Sequence, residues 1–126
     1  MNSVRGIFVA MSAATMLLSA SGIVARPDVK GPWQVAVRTE ADTMKAAFSL
    51  EQQDVAVNGF YFDEFGTAAV IGFVRGNEVT LKVRANIPDE DLTVTYTGTL
   101  DGNTMKGKVT FGELGEGTFV ARKVPS

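Results

Sequence analysis

Apolar and polar residues alternate with a period of two from Trp33 onward, and no segment keeps the 3.6-residue period of an amphipathic helix. The alternation predicts eight short β-strands: Trp33–Thr39, Met44–Gln52, Val55–Asp63, Thr67–Arg75, Val79–Ala85, Leu92–Leu100, Met105–Phe111 and Gly117–Val124. The third and fourth runs are apolar on both faces, and the pattern leaves the faces of the eighth run unassigned. The later runs otherwise place threonines and basic residues on one face only.

The segments between these runs favour tight turns. Gly76-Asn77 and Asp101-Gly102-Asn103 supply residues that tolerate a positive φ, as short hairpin loops require. Closing a meander of eight strands removes the open edges through which strands aggregate. We therefore predict an all-β fold, an eight-stranded antiparallel up-and-down barrel over residues 32–126, with a two-sheet sandwich as the alternative. Four glycines inside the runs are expected where a narrow barrel bends and closes: Gly59, Gly72, Gly98 and Gly107.

Residues 1–22 have the layout of a secretory signal peptide. Arg5 precedes a mostly apolar run, Gly6–Ala20, and small residues follow it. The run is shorter than the roughly 20 apolar residues that a membrane-spanning helix needs, so a membrane anchor is only the alternative. We expect a signal-peptide helix over residues 1–22, cleaved after Gly22 or Ala25, and an amino-terminal arm over residues 23–31. The predicted location is the periplasm or the medium; without a cysteine after the run, a lipoprotein anchor is not expected.

The composition argues against several classes of function. The chain has no histidine and no cysteine, which removes the usual zinc, haem and iron–sulfur ligands and the catalytic triads built on these residues. Its 12 basic and 14 acidic residues leave a net charge of −2, without the cationic excess of a nucleic-acid-binding protein. The acidic groups Asp63-Glu64 and Asp89–Asp91 fall in predicted loops and lack the spacing of a calcium loop. We predict no metal, no cofactor and no catalytic residue.

Gly31, Trp33 and Arg122 together resemble the signature of the calycin barrels, which include the lipocalins, the fatty-acid-binding proteins and the avidins. The resemblance implies that Trp33 packs across one barrel end and that Arg122 covers its ring. The stretch "VTYTGTLDGNTMKGKVTFGELGEGTFVARK" is also similar to a family of small secreted bacterial β-barrel domains, some of them appended to amidohydrolase-type enzymes and without an assigned activity. A single tryptophan departs from the avidins, whose biotin site uses several, so biotin is not the expected ligand.

An eight-stranded barrel is wide enough either to be filled by side chains or to hold one small ligand. For the second alternative, we expect a cavity at the end away from Trp33, lined by Phe48, Tyr61, Phe73, Tyr96 and Phe111. A buried phenol needs a hydrogen-bond partner, so the two tyrosines favour an apolar ligand with one polar group. The predicted function is an exported binding module that carries a small apolar or aromatic ligand in its open end.

Two further hypotheses stay open. The stretch Asn58–Gly66 crowds four aromatic residues together, and a third strand that is apolar on both faces needs a cover for one of them. The Phe60–Phe62 region is therefore a candidate surface for a second copy or another protein, which makes an interaction or inhibitor module for a secreted or envelope enzyme the alternative function. A metal-free isomerase or cyclase that shapes its substrate in an apolar cavity is the second alternative, because such catalysis needs no recognisable motif.

Overall fold

The computed structural model describes residues 28–87 and 90–125. The predicted signal peptide and residues 23–27 of the predicted arm lie outside the described residues. The described part of the chain contains no helix with the length and hydropathy of a membrane span.

The chain forms eight antiparallel strands that close into a single barrel in the order of the sequence. The strands are β1 Gly31–Arg38, β2 Thr43–Gln53, β3 Ala56–Asp63, β4 Gly66–Arg75, β5 Glu78–Ile87, β6 Glu90–Asp101, β7 Thr104–Thr110 and β8 Glu116–Lys123. A short 3-10 turn, Gly112–Leu114, joins β7 to β8, and β1 pairs with β8 to complete the closure. The predicted up-and-down barrel is confirmed, and the sandwich is excluded.

Turn chemistry and alternation together explain the strands. Gly76 and Gly102 take φ values of 56° and 60°, which lets the β4–β5 and β6–β7 hairpins turn within two residues. Along each strand the buried side chains alternate with exposed ones, as in β1, where Trp33, Val35 and Val37 are buried. The buried side chains of all eight strands form one continuous core.

Glycines on the inward face allow neighbouring strands to approach closely. A Cβ atom added to Gly72 would lie 1.9 Å from the backbone oxygen of Thr80 on the next strand. Gly98 lies directly opposite Gly107 in the β6–β7 register, and neither position has room for a side chain without moving the other strand. These glycines let the small barrel close, in agreement with the expectation from the sequence.

The Trp33 end of the barrel is sealed. The Trp33 side chain is fully buried, and its indole Nε1 donates a hydrogen bond of 2.8 Å to the backbone oxygen of Val29. Val29 is itself buried, and its backbone nitrogen donates to Oε1 of Gln52 at 2.9 Å. The described end of the arm therefore packs against the indole and closes this end of the barrel.

The structure corrects the resemblance at Arg122. The cation over the indole belongs to Lys123, whose Nζ lies 5.7 Å from the ring centroid. The reason is the alternation of β8: Phe119 and Ala121 are buried, Lys123 shares their face, and Arg122 is exposed on the opposite face. Arg122 and Lys123 are consecutive residues of one strand, so their side chains point to opposite faces and only one of them can reach the indole.

Candidate functional site

A cavity of about 450 Å³ opens at the end of the barrel opposite Trp33. Its wall is formed by the beginnings of β2, β4 and β6 and by the ends of β3 and β5, together with Phe111 after β7. Met44 and Phe65 line the cavity and are exposed, so they form its rim. The volume lies within the range of about 300–1,000 Å³ that is usual for small-molecule sites.

The size of the inward side chains decides where the barrel is filled and where it is open. Large residues fill the closed half, and the biggest fully buried ones are Trp33, Phe48, Leu50, Leu81 and Met105. Smaller inward residues line the open half, among them Gly66, Ala68, Val83 and Val94. The sequence left open whether the barrel is filled or holds a cavity. The structure has a packed interior at the Trp33 end and a cavity at the other end.

Tyr61 and Asp63 form the polar part of the cavity wall. They are two positions apart on β3, so both side chains project from the same face of the strand. The Tyr61 hydroxyl donates a hydrogen bond of 2.8 Å to Oδ2 of Asp63, and the backbone nitrogen of Phe65 donates one of 2.8 Å to Oδ1. These two bonds fix the carboxylate at the point where β3 turns into β4.

The two tyrosines rest on a packed aromatic floor. The Phe48 ring lies 5.9 Å from that of Tyr61 and 5.1 Å from that of Tyr96, the second contact being edge to face. Phe119 makes another edge-to-face contact with Tyr96, at 5.2 Å. Each of these pairs adds to the burial energy of the rings and restricts their rotation. The position of the phenol groups is therefore set by the core below them.

Burial keeps both phenols protonated over a wide pH range. Burial raises the pKa of Tyr61 far above its ordinary value, and the neighbouring Tyr96 and Asp63 raise it further. Burial also raises the pKa of Tyr96 to about 12; hydrogen bonding with Tyr61 lowers it and the charge of Asp63 raises it. At neutral pH both hydroxyls are therefore protonated and can act as hydrogen-bond donors and acceptors.

Asp63 is the single ionisable group besides the tyrosines among the described residues that line the cavity. Within residues 28–87 and 90–125, no three acidic side chains lie close enough together to hold a metal ion. An apolar wall with two phenols and one carboxylate can bind an apolar molecule and orient a polar group on it.

The structure brings together most of the residues that the sequence assigned to the cavity. Tyr61, Tyr96 and Phe111 line it, while Phe48 is only 1% exposed and packs beneath the tyrosines without lining it. Phe73 does not belong to the site. It lies on the outer face of β4, is 38% exposed and has the guanidinium carbon of Arg75 4.9 Å from its ring centroid.

The assignment of Phe73 fails because β4 is apolar on both faces. Val70, Gly72 and Val74 point inward, which leaves Ile71 and Phe73 on the outside. Asp63, in contrast, was not assigned to the site from the sequence, because the Asp63-Glu64 pair lies where the third predicted strand passes into a loop, and acidic residues at such positions are usually solvated. The signal that would have found it is its spacing of two from Tyr61, which places a carboxylate beside the phenol on one strand face.

No protein-family model, no curated protein and no solved structure matches the chain.

Proposed function

We propose that the chain is an exported, calycin-like β-barrel module that binds a small apolar or aromatic molecule in its open end. The observation that carries the proposal is the cavity of about 450 Å³, closed below by aromatic rings and open at one end only. Its wall is mainly apolar, with the Tyr61–Asp63 pair and Tyr96 as orienting groups. The export signal in residues 1–22 would deliver such a module to the periplasm or the medium.

A fluorescent apolar probe tests the proposal. N-phenyl-1-naphthylamine is dim in water and bright in apolar surroundings, and we expect saturable binding to the chain that begins at Ile23. Ala68→Phe places a ring in the cavity and should abolish the fluorescence increase, because Ala68 lines the wall. Ala69→Phe is the matched control, since Ala69 is exposed on the outer face of the same strand.

Both variants must retain the circular dichroism spectrum of the parent chain. Equal probe binding by the parent chain and folded Ala68→Phe would place the probe on the surface and refute the cavity as its site. Failure of the probe and of a wider panel of aromatics, terpenoids and fatty acids to raise the melting temperature would end the proposal.

The outer face of β3 and β4 favours a second candidate role, an interaction module that associates with a second copy of the chain. Phe60, Phe62, Ile71 and Phe73 lie on this face, with Phe60 57% and Ile71 64% exposed. Sedimentation velocity tests it: a dimer of the parent chain that dissociates in the Phe60→Ser/Ile71→Ser double variant supports the role. A monomer at every concentration removes the second copy as the occupant.

A further inference from the structure

The polar groups of the cavity are poorly suited to an anion. The Asp63 carboxylate contributes oxygen acceptors to the wall, and no lysine or arginine lies among the described residues that line the cavity. Each Asp63 oxygen receives one donor from the protein, from Tyr61 or from Phe65, and a carboxylate oxygen can accept a second. An amine or hydroxyl of a ligand can therefore bind beside the donor already present.

A ligand that carries a carboxylate would bind unfavourably in the same cavity. It would lose its hydration inside an apolar cavity and face the charge of Asp63 at short range, without a cation to compensate. The two phenols are the remaining donors, and the Tyr61 hydrogen is already used in the bond to Asp63. The cost of burying the charge would exceed what the Tyr96 hydroxyl alone can return.

The rim carries the same sign of charge. The described connections at the open end are residues 39–42, 64–65 and 111–115, and they contain Glu40, Asp42, Glu64 and Glu113 but no basic residue. Two exposed basic residues flank this end on the strands, Arg38 at the end of β1 and Lys45 on β2. Lys45 borders a smaller adjoining groove of about 290 Å³, whose lining includes Tyr61 and Asp63 of the cavity wall. The excess of negative charge in these connections raises the local concentration of cationic ligands.

From the cavity and its rim together, we propose that the site selects ligands by charge. It binds aromatic or alicyclic compounds that carry a hydrogen-bond donor, it binds primary amines more tightly than alcohols, and it rejects carboxylates of the same shape. The inference rests on the proposed function and specifies the ligand class of that site.

Three ligands of one shape test the inference. 2-Naphthylmethylamine, 2-naphthylmethanol and 2-naphthoic acid share a ring system and differ in the charge of the substituent, and their dissociation constants can be measured by isothermal titration calorimetry at neutral pH. We expect the amine to bind at least about tenfold more tightly than the acid, because a hydrogen bond to a charged group contributes about 1.5–3 kcal/mol and about 1.4 kcal/mol is tenfold in affinity. The alcohol should fall between them.

Two acidic residues provide the matched variants, one in the cavity wall and one at the closed end of the barrel. Asp63→Asn should lower the affinity for the amine by about tenfold and change the affinity for the alcohol by less than about threefold, because the substitution removes the charge but keeps one oxygen acceptor. Glu78→Gln removes the same charge from an exposed side chain at the start of β5, at the closed end of the barrel and away from the cavity and its rim. It should change the affinity for the amine by less than about threefold.

The possible results separate the two proposals. Binding of the acid as tightly as the amine by the parent chain, or equal losses in Asp63→Asn and Glu78→Gln, would overturn the charge selection and leave the cavity as a binding site. Acid binding that disappears in Lys45→Met would also overturn it, by placing the carboxylate in the adjoining groove. Failure of the two uncharged probes, N-phenyl-1-naphthylamine and 2-naphthylmethanol, would instead count against the proposed function.

Discussion

The Trp33 side chain contacts separate parts of the chain at the closed end. Its Nε1 is bonded to the Val29 carbonyl of the arm, and the ammonium group of Lys123 from β8 lies over its ring. Lys123 Nζ also donates a hydrogen bond of 3.3 Å to the backbone oxygen of Asp28. Arm, first strand and last strand are thus tied together at one position, which is where the ends of an up-and-down barrel have to meet.

Trp33→Phe tests the contribution of the indole hydrogen bond. The substitution keeps a ring in the core but leaves the Val29 oxygen without its donor and opens a small void, so we expect the free energy of unfolding to fall by about 2 kcal/mol. Urea unfolding followed by circular dichroism measures the change. Because the cavity lies at the opposite end, probe affinity of the folded variant should match that of the parent, and a loss of affinity would contradict this placement of Trp33.

The adjacent basic residues of β8 give a direct comparison. Lys123→Met removes the cation from the indole and the hydrogen bond to Asp28, and we expect a loss of about 0.5–1 kcal/mol of stability. Arg122→Met alters an exposed side chain and should change stability by less than about 0.5 kcal/mol. The urea midpoints of the two variants show which of the two basic side chains stabilises the closed end. A larger loss for Arg122→Met would restore the assignment made from the family resemblance.

The tyrosines predict a loss of stability at alkaline pH. Both have an ordinary pKa of 10.0, and the fold raises the pKa of Tyr96 to about 12 and raises that of Tyr61 as well. The unfolded chain therefore releases these protons first, so their contribution is fully present below pH 10 and is lost as the pH rises above it, that of Tyr96 through about pH 12 and that of Tyr61 at still higher pH. The slope for one fully buried phenol is at most about 1.4 kcal/mol per pH unit.

Phenolate absorbance can follow this titration without ambiguity, since the chain contains only two tyrosines. We expect little phenolate in the folded chain at pH 10, where about half of the tyrosine is ionised in urea. Tyr96→Phe should reduce the alkaline loss of stability. Ionisation of both tyrosines near pH 10 in the folded chain would show that their hydroxyls reach water and that the cavity wall is not as the structure has it.

For strand β4, the sequence pattern predicts the strand correctly but not which of its faces points inward. Its existence and its hairpin to β5 follow from the alternation and from Gly76-Asn77, but period two alone cannot say which of two apolar faces points inward. Packing decides the orientation: only Gly72 fits against the backbone of Thr80, so its neighbours Ile71 and Phe73 must face outward. The pattern predicted the cavity only as an alternative to a filled interior, because its volume depends on how small inward residues of several strands coincide at one end.

Gly72→Ala tests this account of β4. The added Cβ would lie 1.9 Å from the Thr80 oxygen, so the β4–β5 ladder has to shift, and we expect a loss of about 3 kcal/mol or more in the free energy of unfolding. Gly76→Ala is the comparison in the adjoining turn, where the Cβ meets open space and only the positive φ of 56° opposes it. The cost there should be about 1 kcal/mol. Similar losses in the two variants would mean that the strands are not in close contact at Gly72.

The two ends of the closed barrel differ in how fully they are packed. Pairing of β1 with β8 leaves no free strand edge, and the large core side chains gather around Trp33, so the open end can keep small wall residues and an unfilled volume. The chain has no cysteine, so no disulfide contributes. The packing around Trp33 is thus the physical condition for a cavity at the other end.

The charge of the rim gives the last prediction, the salt dependence of binding. Glu40, Asp42, Glu64 and Glu113 surround the open end and are exposed, so their attraction for a cationic ligand acts through solvent. Raising the ionic strength from about 0.01 M to about 1 M shortens the screening length from about 30 Å to about 3 Å. The dissociation constant of 2-naphthylmethylamine should therefore rise several-fold in a calorimetric series, while that of 2-naphthylmethanol serves as the uncharged control and stays nearly constant. Equal salt dependence of the two ligands would remove the rim from the recognition and leave Asp63 as its only charged determinant.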